Sequence, residues 1–276
     1  MFRSEIATLK FLKQNTTVPV PDLIGYGEHP YPFMIIQHVA GTRLDVVWSE
    51  IRERLEVEGI LRSLAEIQLE LLAHPFNSSG MLLEIANGGG PTVSVGPCSL
   101  DEFEAYENGI SHKAYPPFRR SSDFYDYKIE LWSRQLNEQP NSVTSSSDGN
   151  HKFLAAGIMR QLVKDVFGKE TDDGLFYLAH PDLHSGNVIV TDTWPIADIL
   201  DREGACTMPL SVACTIPTCV SNIACVHIVP NSAKYHFFQS RATSYHRHFT
   251  EAELLRQSTN KPAVNSTKFP KTSLAE

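Results

Sequence analysis

Hydrophobic residues recur at two different spacings in the N-terminal part of the chain. Ile6, Leu9 and Leu12 fall on one face of a helix, with charged residues on the opposite face. Two prolines follow, and they cannot continue that helix. Residues 23–27 and 32–39 are then short and mostly apolar, as expected for strands. The pattern therefore predicts one helix followed by two strands.

Helical spacing returns further along the chain, with charged residues between the apolar ones. Four segments have this spacing, and each predicts a helix: 44–55, 60–72, 124–136 and 153–167. Helices of this kind bury one apolar stripe, so the middle of the chain is expected to be mainly helical.

The segments between these helices are polar. Residues 77–96 are rich in Gly, Ser and Asn and predict a turn-rich loop, and residues 137–150 predict an exposed linker. Towards the C-terminus, Thr250 with Glu253 three positions later predicts the start of a short helix through a capping box. The polar tail that follows is expected to be partly disordered.

Composition and charge narrow the class of protein. The 276 residues are 42% hydrophobic, enough for a core, and the net charge of −8 gives no general attraction to nucleic acid or anionic lipid. The five cysteines form no CxxC pair, which argues against a disulfide framework or a zinc knuckle. Neither a signal peptide nor a good membrane span is evident. We expect a soluble cytoplasmic protein with no nucleic-acid or membrane partner.

A group of acidic and amide residues surrounds a predicted β-hairpin. Residues 188–190 and 196–200 are apolar runs that flank a turn, with Asn187 just before the first and Asp201 just after the second. The hairpin would return Asp201 to the neighbourhood of Asn187. Oxygen ligands of this kind suit Mg²⁺. Asp182, five residues before Asn187, would orient or deprotonate a hydroxyl, so the pattern favours phosphoryl transfer.

The histidines around Asp182 leave an alternative open. His180, Asp182 and His184 alternate with other residues and, taken alone, would also suit a transition-metal site of a hydrolase. Gly186 and Asn187, with the apolar strand behind them, favour the first interpretation.

The string His180-x-Asp182-x-x-x-x-Asn187, with Asp201 fourteen positions later, resembles the catalytic loop and metal-binding segment of the protein-kinase-like superfamily. The segments HPDLHSGNVIV and ILDREGA are most similar to the corresponding segments of the aminoglycoside phosphotransferase (choline-kinase-like) family. The resemblance extends upstream through three further segments and covers about residues 1–210: SEIATLKFL, VPVPDLIGYG and FMIIQHVAGTRL.

The resemblance implies a role for each matching residue of the loop. Asp182 would be the catalytic base, and His180 would support the geometry of the loop. Asn187 and Asp201 would be the Mg²⁺ ligands in an ATP-dependent transfer to a hydroxyl group. The implied partners are a nucleotide and a small-molecule acceptor that the residues do not identify.

The resemblance also implies a nucleotide site in the N-terminal part. Gln37, His38 and Val39 would form the hinge whose backbone meets the adenine. Glu5 would pair with a lysine that contacts the phosphates. In the family that lysine precedes the helix of Glu5, whereas Lys10 and Lys13 lie beyond Glu5 in the same predicted helix.

The implied fold is α+β, of the protein-kinase-like two-lobe type. Residues 1–41 would form an incomplete small lobe with a helix and two or three strands, and residues 42–210 a mainly helical large lobe. Residues 211–276 depart from the family pattern, and Arg202 stands where the family has Trp. We expect a phosphotransferase; the alternative is a catalytically impaired, pseudokinase-like or truncated remnant.

Overall fold

Helix α1 (Phe2–Asn15) buries Ile6, Leu9 and Leu12 on one face, as the apolar spacing predicts. It is the first element of a computed structural model that describes residues 2–48, 51, 54–87, 90–97, 116–166, 174–193, 195–221 and 233–259. Within these residues the chain is a mixture of helices and sheets, so the expectation of a mixed α and β fold is confirmed.

Two strands follow α1 and pair with each other. Strand β1 (Leu23–Gly27) runs antiparallel to β2 (Phe33–Ile36), and the two form a separate two-stranded sheet. The predicted second strand is shorter than the apolar run from 32 to 39, because the chain leaves the pairing after Ile36.

The next elements alternate between helix and sheet. They are β3 (Thr42–Arg43), α2 (Leu44–Val47), α3 (Arg54–Leu72), β4 (Pro75–Phe76), β5 (Gly80–Asn87), β6 (Gly90–Val95), α4 (Ser121–Glu138) and α5 (Ser146–Val166). A 3-10 turn, Pro140–Ser142, lies between α4 and α5.

The C-terminal half contributes the central strands and the longest helix among the described residues. Its elements are β7 (Phe176–Ala179), a 3-10 turn (Ser185–Asn187), β8 (Val188–Val190), β9 (Ile196–Ile199), β10 (Cys206–Pro209), α6 (Leu210–Ala213), α7 (Thr218–Ser221) and α8 (Ala233–Ser258). No helix in the described part of the chain is long and apolar enough to cross a membrane.

Two further sheets join distant parts of the chain. Five strands pair in the order β4-β7-β10-β5-β6, and three strands pair in the order β3-β8-β9. A large buried cluster lies between α3, α8 and the strands β7 and β8. A second cluster lies where α1 packs on β5. The candidate active site lies at the end of the β8–β9 hairpin.

Several predictions from the sequence are wrong. Residues 77–96 are not a loop, because Gly80–Asn87 and Gly90–Val95 pair as an antiparallel hairpin; Gly88 and Gly89 lie outside the described residues. Residues 137–150 are not a simple linker, since α5 begins at Ser146. The five-stranded sheet also means that the middle of the chain is less dominated by helix than predicted.

The predicted helix start at Thr250 is also wrong. Thr250 lies inside α8, and its hydroxyl donates to the carbonyl of His246, one turn earlier. Glu253 is buried within the same helix. The sequence also predicted partial disorder after residue 211. Of this segment, residues 211–221 and 233–259 are described and are largely helical, whereas residues 222–232 and 260–276 lie outside the described residues.

Candidate active site

The loop between β7 and β8 folds back on itself through its own hydrogen bonds. The backbone N–H of His184 donates to the carbonyl of Asp182 at 2.9 Å, and the N–H of Asn187 donates to the carbonyl of His184 at 3.0 Å. The side-chain amide of Asn187 donates to the same Asp182 carbonyl at 3.0 Å. Asn187 is buried, whereas the Asp182 side chain is 71% exposed. The loop therefore holds its amide inside and presents its carboxylate to solvent.

His180 connects this loop to the strand that precedes Asp201. Its Nε2 lies 3.1 Å from the carbonyl of Leu200, and its Nδ1 accepts the backbone N–H of Asp182 at 3.3 Å. Because Nδ1 accepts, Nε2 must carry the proton, and both partners are satisfied by a neutral ring. Burial, with the nearby Arg202 charge, lowers the pKa of His180 to about 3. The ring is therefore neutral at physiological pH and acts as a fixed connection between two backbone segments.

Asp201 comes into position through the β8–β9 hairpin, which is confirmed. Val188 pairs with Ile199, and the N–H of Leu200 donates to the carbonyl of Asn187 at 2.8 Å. Asp201 follows directly, so it lies next to Asn187 across the hairpin. Its backbone has φ of 56°, in the left-handed region that Asp tolerates better than most residues. Its carboxylate is exposed and accepts the N–H of Glu203 at 3.3 Å.

Glu5 reaches the same end of the hairpin from α1. Its carboxyl accepts the backbone N–H of Arg202, and burial, followed by the charges of Asp201 and Glu203, raises the pKa of Glu5. α1 therefore contributes a carboxyl beside Asp201, a proximity that the sequence did not predict directly.

The lysines of α1 point to other partners. Lys10 forms an ion pair with Glu84 at 2.7 Å, and Lys13 forms one with Asp22. In the described part of the chain, no lysine forms an ion pair with Glu5.

The predicted hinge residues lie between β2 and β3. Gln37 and His38 are exposed, Val39 is partly buried, and the N–H of Gln37 donates to the carbonyl of Asp22 at 2.8 Å. Gly41 then has φ of 141°, and a Cβ there would lie 2.5 Å from the carbonyl oxygen of Val190. Glycine thus lets this connection pass close to β8. The three hinge residues lie on the segment that leads to the hairpin, and their contact with a nucleotide stays a prediction.

The residues at the hairpin end fit a hard cation in part. Asp201 and Asn187 offer oxygen ligands of the kind that Mg²⁺ takes. No group of three or more His, Cys, Asp or Glu side chains in the described residues is arranged to hold a metal ion alone. This finding disfavours the hydrolase-type metal site on His180, Asp182 and His184.

Arg202 is buried behind this site. The residue is only 2% exposed, whereas the neighbouring Asp201 faces solvent. The charge of Arg202 still acts on the His180 ring. The burial of Arg202 was not predicted, because arginine is usually exposed. The buried Asp198 in β9 was not predicted either, although an acid inside the apolar run 196–200 was an available signal.

Two other features are separate from this site. A cavity of about 820 Å³ lies between α3, α8 and the segment after α1, and none of the predicted catalytic or metal-binding residues lines it. The thiol of Cys219 is buried, and its burial raises its pKa to about 12, so this cysteine is a core residue.

Comparison with known proteins gives little. No family model matches the sequence, and no curated protein matches it. Among the solved structures that are similar to this chain is that of the gentamicin-APH(2")-IIa complex, at 11% sequence identity. The alignment covers 94% of this chain and 72% of that chain, with a TM-score of 0.46. A likeness of that size carries no conclusion about function.

Proposed function

We propose that this protein is a kinase-like phosphotransferase that transfers a phosphoryl group from Mg²⁺-ATP to a hydroxyl group of a small molecule. The observation that carries the proposal is the arrangement around His180. This neutral ring bonds the backbone of Asp182 on one side and the backbone next to Asp201 on the other. An exposed carboxylate, a buried amide and a second exposed carboxylate thereby lie on one loop and hairpin.

Each residue has a task that follows from its position. Asp182 is exposed and has a fixed backbone, so it can orient an acceptor hydroxyl and take its proton as the transfer proceeds. Asn187, held through its amide nitrogen, would direct its oxygen to the metal together with Asp201. When bound, Mg²⁺ neutralises charge on the phosphate oxygens. Gln37, His38 and Val39 would meet the adenine, as the sequence resemblance implies.

The proposal includes two lobes. Residues 1–41, with α1 and the two-stranded sheet, would form the small lobe, and residues 42–210 the large lobe. The proposed site would lie where α1 meets the hairpin end, at the hydrogen bond between the Glu5 carboxyl and the backbone N–H of Arg202. Residues 211–276 would be an addition whose helix α8 packs on α3.

One observation favours a second candidate, a catalytically impaired binding protein. The carboxyl of Glu5 accepts a hydrogen bond from a backbone N–H, and no described lysine forms an ion pair with it. Phosphoryl transfer needs cationic contacts that align the phosphates of the nucleotide, and such a lysine would supply one. Such a protein would bind nucleotide without transferring phosphate.

The test is a thermal unfolding experiment with and without millimolar Mg²⁺-ATP. A ligand that binds only the folded state raises the midpoint, so we expect a rise for the natural sequence and its loss in Asp201→Asn. Asp192→Asn is the matched control, because Asp192 is exposed at the opposite end of the same hairpin. Asp182→Asn should retain the shift and lose any phosphate release.

The results separate the two candidates. A shift without turnover in the natural protein would favour the impaired binding protein. The absence of any shift with Mg²⁺-ATP would rule out both.

A further inference from the structure

Helix α5 has two apolar faces, and α4 covers one of them. Ala156 and Val163 of α5 are buried in a cluster with Ile129 of α4, and Met159 packs against the same cluster. Among the described elements, α4 is the main packing partner of α5. The two helices therefore form a hairpin whose small core leaves the other apolar residues of α5 uncovered.

The second face of α5 is a continuous row of exposed apolar side chains. Leu154, Ile158 and Leu162 form this outer stripe, and they are 61%, 60% and 47% exposed. Successive members are four residues apart, so they lie on one side of the helix, about 40° from one another. Exposed apolar residues scattered singly are ordinary, whereas a contiguous row marks an interaction surface.

The cations of α5 are engaged away from the outer stripe. Lys152 forms an ion pair with Asp148 in the same helix, and Arg160 donates to the Ser133 hydroxyl of α4 at 3.0 Å. The stripe itself carries no charged or hydrogen-bonding side chain. A partner that covers it must therefore present apolar surface of its own.

The outer stripe is complementary to a second copy of itself. An antiparallel copy of α5 centred on Ile158 would place Leu154 of one chain beside Leu162 of the other, and Ile158 beside its own counterpart. The same pairing brings His151 to Asp165, because these residues lie seven positions on either side of Ile158. A two-fold axis requires this reciprocity, in which residue i meets j and j meets i.

The ends of the stripe favour the antiparallel direction. His151 and Asp165 are both exposed, and an imidazole N–H can donate to a carboxylate. Oδ1 of Asp165 accepts the Gln161 amide, which leaves Oδ2 for such a contact. A parallel pair would instead place the two Asp165 carboxylates together, and like charges repel.

We propose that two copies of the chain associate through the outer stripe as an antiparallel, two-fold symmetric pair of α5 helices. Each copy contributes its α4–α5 hairpin, so the pair forms a four-helix arrangement in which both apolar faces of α5 are covered. The stripe provides fewer residues than the roughly 20–30 a side of a standard interface, so the dimer should dissociate at micromolar concentrations. The inference is independent of whether the protein transfers phosphate.

The test is sedimentation equilibrium of the full chain from about 1 µM to about 0.5 mM, a range that covers weak interfaces. We expect a reversible equilibrium between monomer and dimer. A monomer over the whole range would overturn the proposal. Association that continues beyond the dimer would also overturn it, because a closed two-fold pair leaves no free copy of the stripe.

Two single variants locate the interface. Ile158→Glu places two carboxylates together on the axis, so it should raise the dissociation constant at least about 100-fold. Phe153→Ser is the matched control. Phe153 is 69% exposed on the same helix but lies about 140° around it from Ile158, so the dissociation constant should change less than about twofold. An equal loss of dimer in both variants would overturn the proposal.

A charge exchange tests the direction of the pair. Leu154→Lys and Leu162→Glu should each raise the dissociation constant at least about tenfold, because each places a charge against an apolar side chain of the other copy. In the antiparallel pair the double variant brings opposite charges together, so it should bind at least about tenfold more tightly than either single variant. A double variant that binds no more tightly than the single ones would overturn the proposal.

These variants should fold like the natural protein, since every substituted position is exposed. Thermal unfolding at about 1 µM, where the monomer predominates, checks this expectation. An unchanged midpoint together with loss of the dimer supports the proposal.

Discussion

One side chain, His180, fixes two backbone segments. The first is its own loop at Asp182, and the second is the backbone at Leu200, twenty residues further along the chain. Its ring accepts a backbone N–H and donates to a backbone carbonyl, and it can do both only when it is neutral. The positions of Asp182 and Asp201 both depend on it, because each is adjacent to one of these backbone groups. The residue is thus a positioning group, and its effect is measurable as stability.

Replacing His180 by Ala should cost roughly 2–4 kcal/mol of unfolding free energy at pH 7, because two partly buried backbone groups lose their partners. The natural protein should also lose stability on acidification. Its folded-state pKa is about 3, against 6.5 for an unfolded His, so below pH 6.5 protons bind the unfolded chain first. Urea unfolding at pH 7 and pH 5 measures both effects.

The magnitude of the pH effect follows from linkage. Between pH 6.5 and 5 the depressed pKa contributes a loss of up to about 2 kcal/mol, which is absent in the variant. The difference between the two proteins should therefore shrink as the pH falls. His246→Ala is the control, since His246 is exposed on α8 and its replacement should leave the pH dependence intact. A constant difference from pH 7 to pH 5 would contradict a neutral, buried His180.

The positions of some single residues could be predicted from the sequence, whereas that of Arg202 could not. Asp182, Asn187 and Asp201 could be placed together because their spacing and the hairpin are local features. The orientation of Arg202 could not, because it depends on how β9 and α1 pack around the turn. A sequence places an arginine on the surface by default, and here the default fails.

At the scale of elements, local signals worked where periodicity was strong and failed where side chains compete with the backbone. The hairpin of β8 and β9 and helix α4 follow from their apolar spacing. Strands β5 and β6 were missed because their Gly, Ser and Asn residues are typical of loops. In α8, Thr250 bonds the carbonyl one turn earlier, so a residue that commonly caps helices lies inside one.

Gln68 connects helix α3 to helix α8 and to the backbone at Ala213 and Thr215 through hydrogen bonds. From α3 its amide donates to the carbonyls of Ala213 and Thr215, and its oxygen accepts the hydroxyl of Tyr245 on α8. Gln68→Leu would leave these buried groups without partners, so we expect a loss of roughly 3 kcal/mol in urea unfolding. Gln161→Leu, on the exposed face of α5, should change stability by less than about 0.5 kcal/mol.

Tyr245→Phe completes this test. It should cost less than Gln68→Leu because it removes one hydrogen bond, and the double variant should cost less than the sum of the two single ones. Strict additivity would contradict the direct contact between the two side chains.

At the scale of the whole molecule, the sheets join segments that no local pattern connects. β10 lies between β7 and β5, so residues 206–209 pair with strands on both sides from distant parts of the chain. Such pairing depends on packing of both faces, and short apolar strands do not encode their partners. The five-stranded sheet could therefore not be predicted, whereas the presence of both helix and strand could.

The packing of α8 gives a final prediction, about cooperativity. Phe249 is 8% exposed and belongs to the cluster that includes α3 and β8. If α8 is part of the same core, Phe249→Ala should cost about 3–5 kcal/mol and lower the single unfolding midpoint of the whole chain. Trp48, buried in that cluster, reports the transition by fluorescence.

Leu254→Ala is the matched control for this experiment, because Leu254 lies on the same helix and is 58% exposed. Its removal takes away no core contact and should change stability by less than about 0.5 kcal/mol. If Phe249→Ala instead produced a separate early transition that Trp48 fluorescence did not follow, α8 would unfold independently. A shift of the whole transition would mean that the segment after residue 211 stabilises the loop and hairpin on which the proposed site lies.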